Sequence, residues 1–291
     1  MHCNRLAALA LAASCAAPAL ATVMTAEHLN IYRDGSSADW LLGNNRLLGD
    51  GFDNGDPLLG PAFSTTGTAA TYSLQGAASA AAATEAGGRL RLDPNLGTVS
   101  ANALGQSGTS VRLRLLTNVS DPNAGLTINR SFAATLRLSL SAAPDPGQSF
   151  GLRLSDGNLG PVSNDVIELF WSGNGSIVFR KQDFQAGTID VLGTAPVVAP
   201  TGAAMLVLSL VHSTPGGDQI SGSYNFADGG GALLGSFQGF ASTATAFRGE
   251  SHTRVELRAT GLSAPVPEPG TWALMAAGLG LATLQRLRRP R

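Results

Sequence analysis

The strongest constraint on this chain is an alternation with a period of two that recurs along most of its length. In GRLRLD (Gly88 to Asp93), SVRLRLL (Ser110 to Leu116), TLRLSLS (Thr135 to Ser141) and FGLRLS (Phe150 to Ser155), Leu or Val alternates with Arg, Ser or Gly. Successive side chains of a strand point to opposite faces, so each stretch reads as a strand with one buried and one polar face. DVIELFW, SIVFRKQDF, MLVLSLVHS, ISGSYNF and RVELRA are further strand-like runs, with turn residues between them at Ser172 to Gly175, Thr214 to Asp218 and Ala227 to Gly231. Gly-Asn-Gly joins Asp165–Trp171 to Ser176–Phe184 as the best hairpin candidate. About ten strands with almost no helical periodicity predict one all-β domain over residues 27–263, an antiparallel β-sandwich of jelly-roll type. The Ala-rich segment from Ala77 to Gly88 reads as a small-residue loop with room for a helical turn.

The termini carry a different message. Residues 1–21 have a basic Arg5, an apolar stretch from Leu6 to Ala13 and a small-x-small site at Ala19-Leu20-Ala21. This is the pattern of a secretory signal peptide, with cleavage expected after Ala21. A lipoprotein cut before Cys15 would want an aliphatic residue where Ala12 stands. Cys3 and Cys15 both lie in this leader, so the body has no cysteine and must be held by its core alone. Setting aside Arg5, the four tail arginines and Glu268 leaves 14 basic against 19 acidic residues, a net charge of about −5. That charge, with no basic patch, argues against a nucleic-acid partner.

From Thr271 to Leu284 the chain is uncharged, and Arg286, Arg288, Arg289 and Arg291 follow. As a helix this run would cover about 21 Å, short of a hydrocarbon core of about 30 Å. Snorkelling of Arg286 extends it to a marginal single apolar helix. Trp272 suits one membrane interface, and the arginines favour the cytoplasmic side, which leaves the body outside. By physics alone a permanent C-terminal anchor is the favoured reading, because spacing and composition do not show a cut.

Val266-Pro267-Glu268-Pro269, followed by Gly270, the apolar run and the arginine cluster, resembles the PEP-CTERM sorting signal, assigned here to residues 264–291. The resemblance implies that an exosortase, a membrane processing enzyme, recognises the Pro-Glu-Pro segment and cleaves near it. The body would then reach the cell surface or the extracellular polysaccharide matrix. Two prolines with fixed φ and no N–H keep such a segment extended for a protease. The strand pattern from Phe150 onward also resembles a concanavalin-like or laminin-G-like jelly roll. That resemblance implies carbohydrate binding, sometimes with calcium, only by analogy of fold.

Chemistry is sparse in the body, and no enzyme is expected. Asp165 and Glu168 lie three apart in one strand, on opposite faces, so they do not form the carboxylate pair of a glycoside hydrolase. Asp165 is expected at the strand entrance and Glu168 on the solvent face. DGFDNGD gathers Asp50, Asp53, Asn54 and Asp56, of which Asp50, Asp53 and Asp56 are the calcium candidates; these residue types equally suit a tight turn. His28, His212 and His252 lack short metal-ligand spacing. For sugar binding the available aromatics are Trp40, Trp171, Tyr32, Tyr72 and Tyr224, with Trp171 expected in the core. The sequence thus points to an exported structural or adhesive protein of the exopolysaccharide or biofilm layer. A lectin-like module is the alternative and a polysaccharide hydrolase a more distant one.

Overall fold

The computed structural model describes residues 22–116, 125–127, 129–156, 165–215, 217, 219–245 and 253–261. Seventeen strands among these residues form two antiparallel sheets packed face to face. The signal-peptide residues Ala19 and Ala21, the sorting motif and the apolar tail lie outside the described residues. Among the described residues no helix is long and apolar enough to cross a membrane.

The first sheet contains β1 (Met24–Arg33), β2 (Arg46–Asp50), β5 (Ala83–Glu85), β6 (Leu90–Leu92) and β9 (Phe132–Ser139). It is completed by β14 (Met205–His212), β15 (Gln219–Ala227) and β16 (Gln238–Thr245). Its order is β16-β15-β14-β9-β1-β6-β5, with β2 sharing the edge of β1 that β6 also uses. The second sheet contains β3 (Leu59–Ala62), β4 (Ala69–Gln75), β7 (Thr98–Ala101), β8 (Ser107–Leu116) and β10 (Ser149–Asp156). With them run β11 (Val166–Ser172), β12 (Ser176–Asp183), β13 (Thr188–Pro196) and β17 (Thr253–Gly261), in the order β13-β12-β11-β10-β17-β8-β4-β3, β7 pairing with β8.

Alternating residues of both sheets point inward, so Leu136, Leu138, Leu206 and Leu208 of one sheet meet Leu113, Leu152, Leu169 and Leu257 of the other. Phe132, Phe150 and Phe179 are the largest rings in this layer. Burying a side chain of this size contributes about 1.5–3 kcal/mol, and the sum substitutes for the missing disulfides. Trp171 belongs to the same core, as its position in the alternation implies.

The expected hairpin forms as β11 and β12, paired from Val166↔Gln182 to Ser172↔Ser176. Gly175 supplies its positive φ of 80°. Gly173 serves a different need, because a Cβ there would collide with the Asp145 carbonyl. The Ala-rich segment resolves into a 3-10 turn over Ala80–Ala82 followed directly by β5. One helix was not legible beforehand: α1 (Ser37–Leu41), closed by a capping box in which Ser36 and Asp39 bond each other's backbone.

Candidate functional site

Pairing across four strands of the first sheet builds a floor of small polar residues on its outer face. Asn30 of β1 stands opposite Thr135 of β9, Thr135 opposite Ser209 of β14, and Ser209 opposite Ser223 of β15. The next row is Tyr32, Ala133, Val211 and Ser221. Small side chains leave this part of the sheet low, and two segments rise beside it. On one side stands α1, where Trp40 is fixed by Nε1 donating to the Asp34 carbonyl at 2.8 Å. On the other side residues 228–237 fold back over the sheet, where Phe237 packs on Met205, Val207 and Ala227. Asp228 accepts from the amides of Gly230 and Ala232, and Asn225 Nδ2 donates to the Gly235 carbonyl, which pins that segment.

The result is a groove of about 260 Å³ with Tyr32, Trp40 and Phe237 in its lining and Leu41 and Leu233 exposed at its rim. Leu41 is 59% exposed at this rim. Asn30 Oδ1 is buried without a well-formed hydrogen bond, with the His28 ring beside it. Burial, and then Arg137, lower the pKa of His28; burial raises that of the Tyr32 phenol. A shallow aromatic-walled channel over hydroxyl and amide groups can stack a sugar ring and bond its hydroxyls.

The outer face of the second sheet is built differently, and it corrects the expectation for Glu168. Register places Arg180, Glu168, Arg153, Glu256 and Arg114 side by side on β12, β11, β10, β17 and β8. Glu168 does point away from the core, yet it is only 2% exposed, because long arginine side chains lie across it. Arg180 reaches it at 2.7 Å, Gln182 Nε2 donates to it at 2.5 Å, and Arg258 closes the other oxygen. Arg258 stands opposite Gly151 in the register of β17 and β10, and a Cβ on Gly151 would strike Leu169 and Phe170. Glu256 is held by Arg114 at 2.6 Å, Arg153 at 3.4 Å and Arg112 at 3.7 Å. Burial alone would raise Glu168, but Arg258, Arg180 and Arg153 outweigh it and hold its carboxyl well below the ordinary range. Burial brings Arg153 down to about 10 against the pull of Glu256.

The remaining expected site residues are dispersed. Asp50 is buried and accepts from the Phe52 amide and the Tyr72 hydroxyl at 2.9 and 2.6 Å. Asn54 accepts from the Asp56 amide and Asp56 from the Leu58 amide, as in ordinary turns. Asp53 stands exposed in the same loop. Among the described residues no three His, Cys, Asp or Glu side chains converge as metal ligands. His212 is buried against Phe132 with its ring nitrogens on the carbonyls of Arg130 and Gly217, His28 lies on β1, and His252 is outside the described residues. Asp165 pairs with Lys181 at 3.2 Å. Of the aromatics considered for sugar binding, Tyr32 and Trp40 reach the groove, whereas Tyr72 and Tyr224 are buried on Asp50 and Gln238.

The sequence that follows β17 decides the destination of this body: residues 265–289 match the PEP-CTERM protein-sorting motif. The chain carries a PEP-CTERM sorting signal. It is therefore an exported protein processed by exosortase, with membrane attachment preceding display at the cell surface. The PEP-CTERM match contains the Val266-Pro267-Glu268-Pro269 segment, the apolar run and three of the four arginines. No curated protein matches the chain.

Proposed function

We propose that this PEP-CTERM protein is an adhesive or structural component of the cell surface or extracellular polysaccharide layer, holding glycan in the groove between α1 and residues 228–237. The observation that carries the reading is the row of Asn30, Thr135, Ser209 and Ser223 set between aromatic walls. Sugar hydroxyls both donate and accept, and this floor offers an amide and three hydroxyls that do the same. Aromatic rings at the sides supply the apolar contact that sugar faces require.

The reading is of a binding protein and not of an enzyme. The two buried carboxylates of the second sheet are each neutralised by several arginines, and Asp165 is paired with Lys181. A general acid or nucleophile needs a carboxylate that substrate can reach. The test is retention of the processed protein on polysaccharides from its own matrix, by affinity electrophoresis. Tyr32→Ala and Phe237→Ala should each weaken retention about tenfold, as loss of an aromatic contact of about 1 kcal/mol or more implies. Unchanged retention in both variants, or release of reducing sugar by the wild type, would refute it.

A further inference from the structure

The groove contains one charge that no described residue balances. Arg137 projects from β9 on the same face as the floor, between His28 of β1 and Val207 of β14, and lines the groove. Its Nε is buried without a hydrogen-bond partner, and its guanidinium lies against Gly231, where a Cβ would collide with it. No described carboxylate pairs with it, and no described residue lining the groove is acidic. Arg46 and Arg91 also lack an ion pair among the described residues, but both stand exposed to water. The arginines of the second sheet make the contrast sharper, since Arg180 and Arg258 share Glu168 and Arg112, Arg114 and Arg153 share Glu256.

A guanidinium taken partly out of water is costly unless an anion completes it. Its planar fork matches a carboxylate, which can accept two parallel N–H bonds. The neutral hydroxyl and aromatic surroundings match the rest of a sugar ring. We infer that the groove takes a sugar bearing a carboxylate, a uronic acid residue, with Arg137 as the group that binds its charge. This rests on the glycan-binding reading above and narrows it to acidic polysaccharide.

The experiment is isothermal titration of the processed protein with oligomers of galacturonate, glucuronate, mannuronate and guluronate, with their methyl esters, and with neutral glucan and galactan oligomers. Dextran sulfate is included as an anion of different geometry. At least one free uronate should bind, with its methyl ester about tenfold weaker or more, the loss of one charge-assisted contact. Arg137→Gln should bring the free acid down to the level of the ester and leave the ester unaffected. Arg137→Lys, which keeps the charge and loses the fork, should fall between.

Neutral or esterified oligomers binding as well as the acids would overturn the inference while leaving the groove as a glycan site. So would binding of dextran sulfate alone, or an Arg137→Gln protein that loses acid and ester equally. Failure of every oligomer to bind a folded wild type would instead remove the glycan reading itself, and this inference with it.

Discussion

Replacing Glu256 by Gln isolates the electrostatics of the second sheet. Glutamine keeps the shape and the hydrogen-bonding edge but deletes the charge that Arg112, Arg114 and Arg153 share. The Glu256 side chain is fully buried, so water cannot replace the lost anion without opening the ladder. Removing one partner from a buried ion pair typically costs about 3–5 kcal/mol, and here three guanidiniums are left facing one another. For a domain of this size each kcal/mol shifts Tm by about 2–4 °C, so a fall of about 6–20 °C is expected. Thermal and urea unfolding both report it, with an unchanged m-value if only the native state is affected. Glu27→Gln is the control, because its partner Arg89, at 3.2 Å, is 47% exposed and water can replace the lost contact, so the pair should be worth at most about 1 kcal/mol. Burial opposes ionisation of Glu256, but its three arginines prevail and hold it below the usual carboxylate range. A depressed folded value means stability that is present above about pH 4.3 and lost as pH falls through that folded value. Glu256→Gln should therefore flatten the acid limb as well. A variant within about 1 kcal/mol of the control would show that the arginines are solvated well enough to need no partner, and the reasoning would fail.

Two further outcomes follow from individual contacts. His28 has its pKa lowered first by burial, then by Arg137, so its contribution is present above about pH 6.5 and is lost as pH falls through its lowered folded value. A His28→Asn protein should show a flatter Tm between about pH 7 and pH 5 than the wild type, and parallel curves would refute that assignment. The Thr22 amide donates to Asp145 Oδ2 at 2.6 Å while Gln148 Nε2 donates to the Thr22 carbonyl at 3.1 Å. Cleavage after Ala21 would turn that amide into an ammonium group and the contact into an ion pair. Asp145→Asn should then lower the stability of a chain beginning at Thr22 by about 1.5–3 kcal/mol, and by less in a chain that keeps its leader. Intact mass of the exported protein fixes which terminus is present.

The strands that carry the fold were legible because their buried faces alternate cleanly, as in Val111, Leu113 and Leu115 of β8. Short pieces such as β2, β3, β5 and β7 were not, since three to five residues hold too few alternations to stand out. For α1 a signal existed in the Ser36-x-x-Asp39 spacing, but five residues give no helical period. The groove was illegible for another reason. Asn30, Thr135, Ser209 and Ser223 are distant in sequence, and only the pairing of β1, β9, β14 and β15 puts them in one row. The error over Glu168 has a physical source: a period of two tells which face a side chain takes, but not what covers that face. Arginines on neighbouring strands are long enough to bury a carboxylate that points away from the core.

The position of β17 bears on how the body would carry mechanical load. Although it is the last strand among the described residues, it lies inside its sheet, paired over eight residues with β10 and over six with β8. The sorting motif begins within a few residues of its end. Tension transmitted through that tether along the strand axis must shear two ladders at once. An edge strand such as β13 would instead peel away one bond at a time. A body held from β17 in this way would resist drag at the seam where it is stitched on both sides.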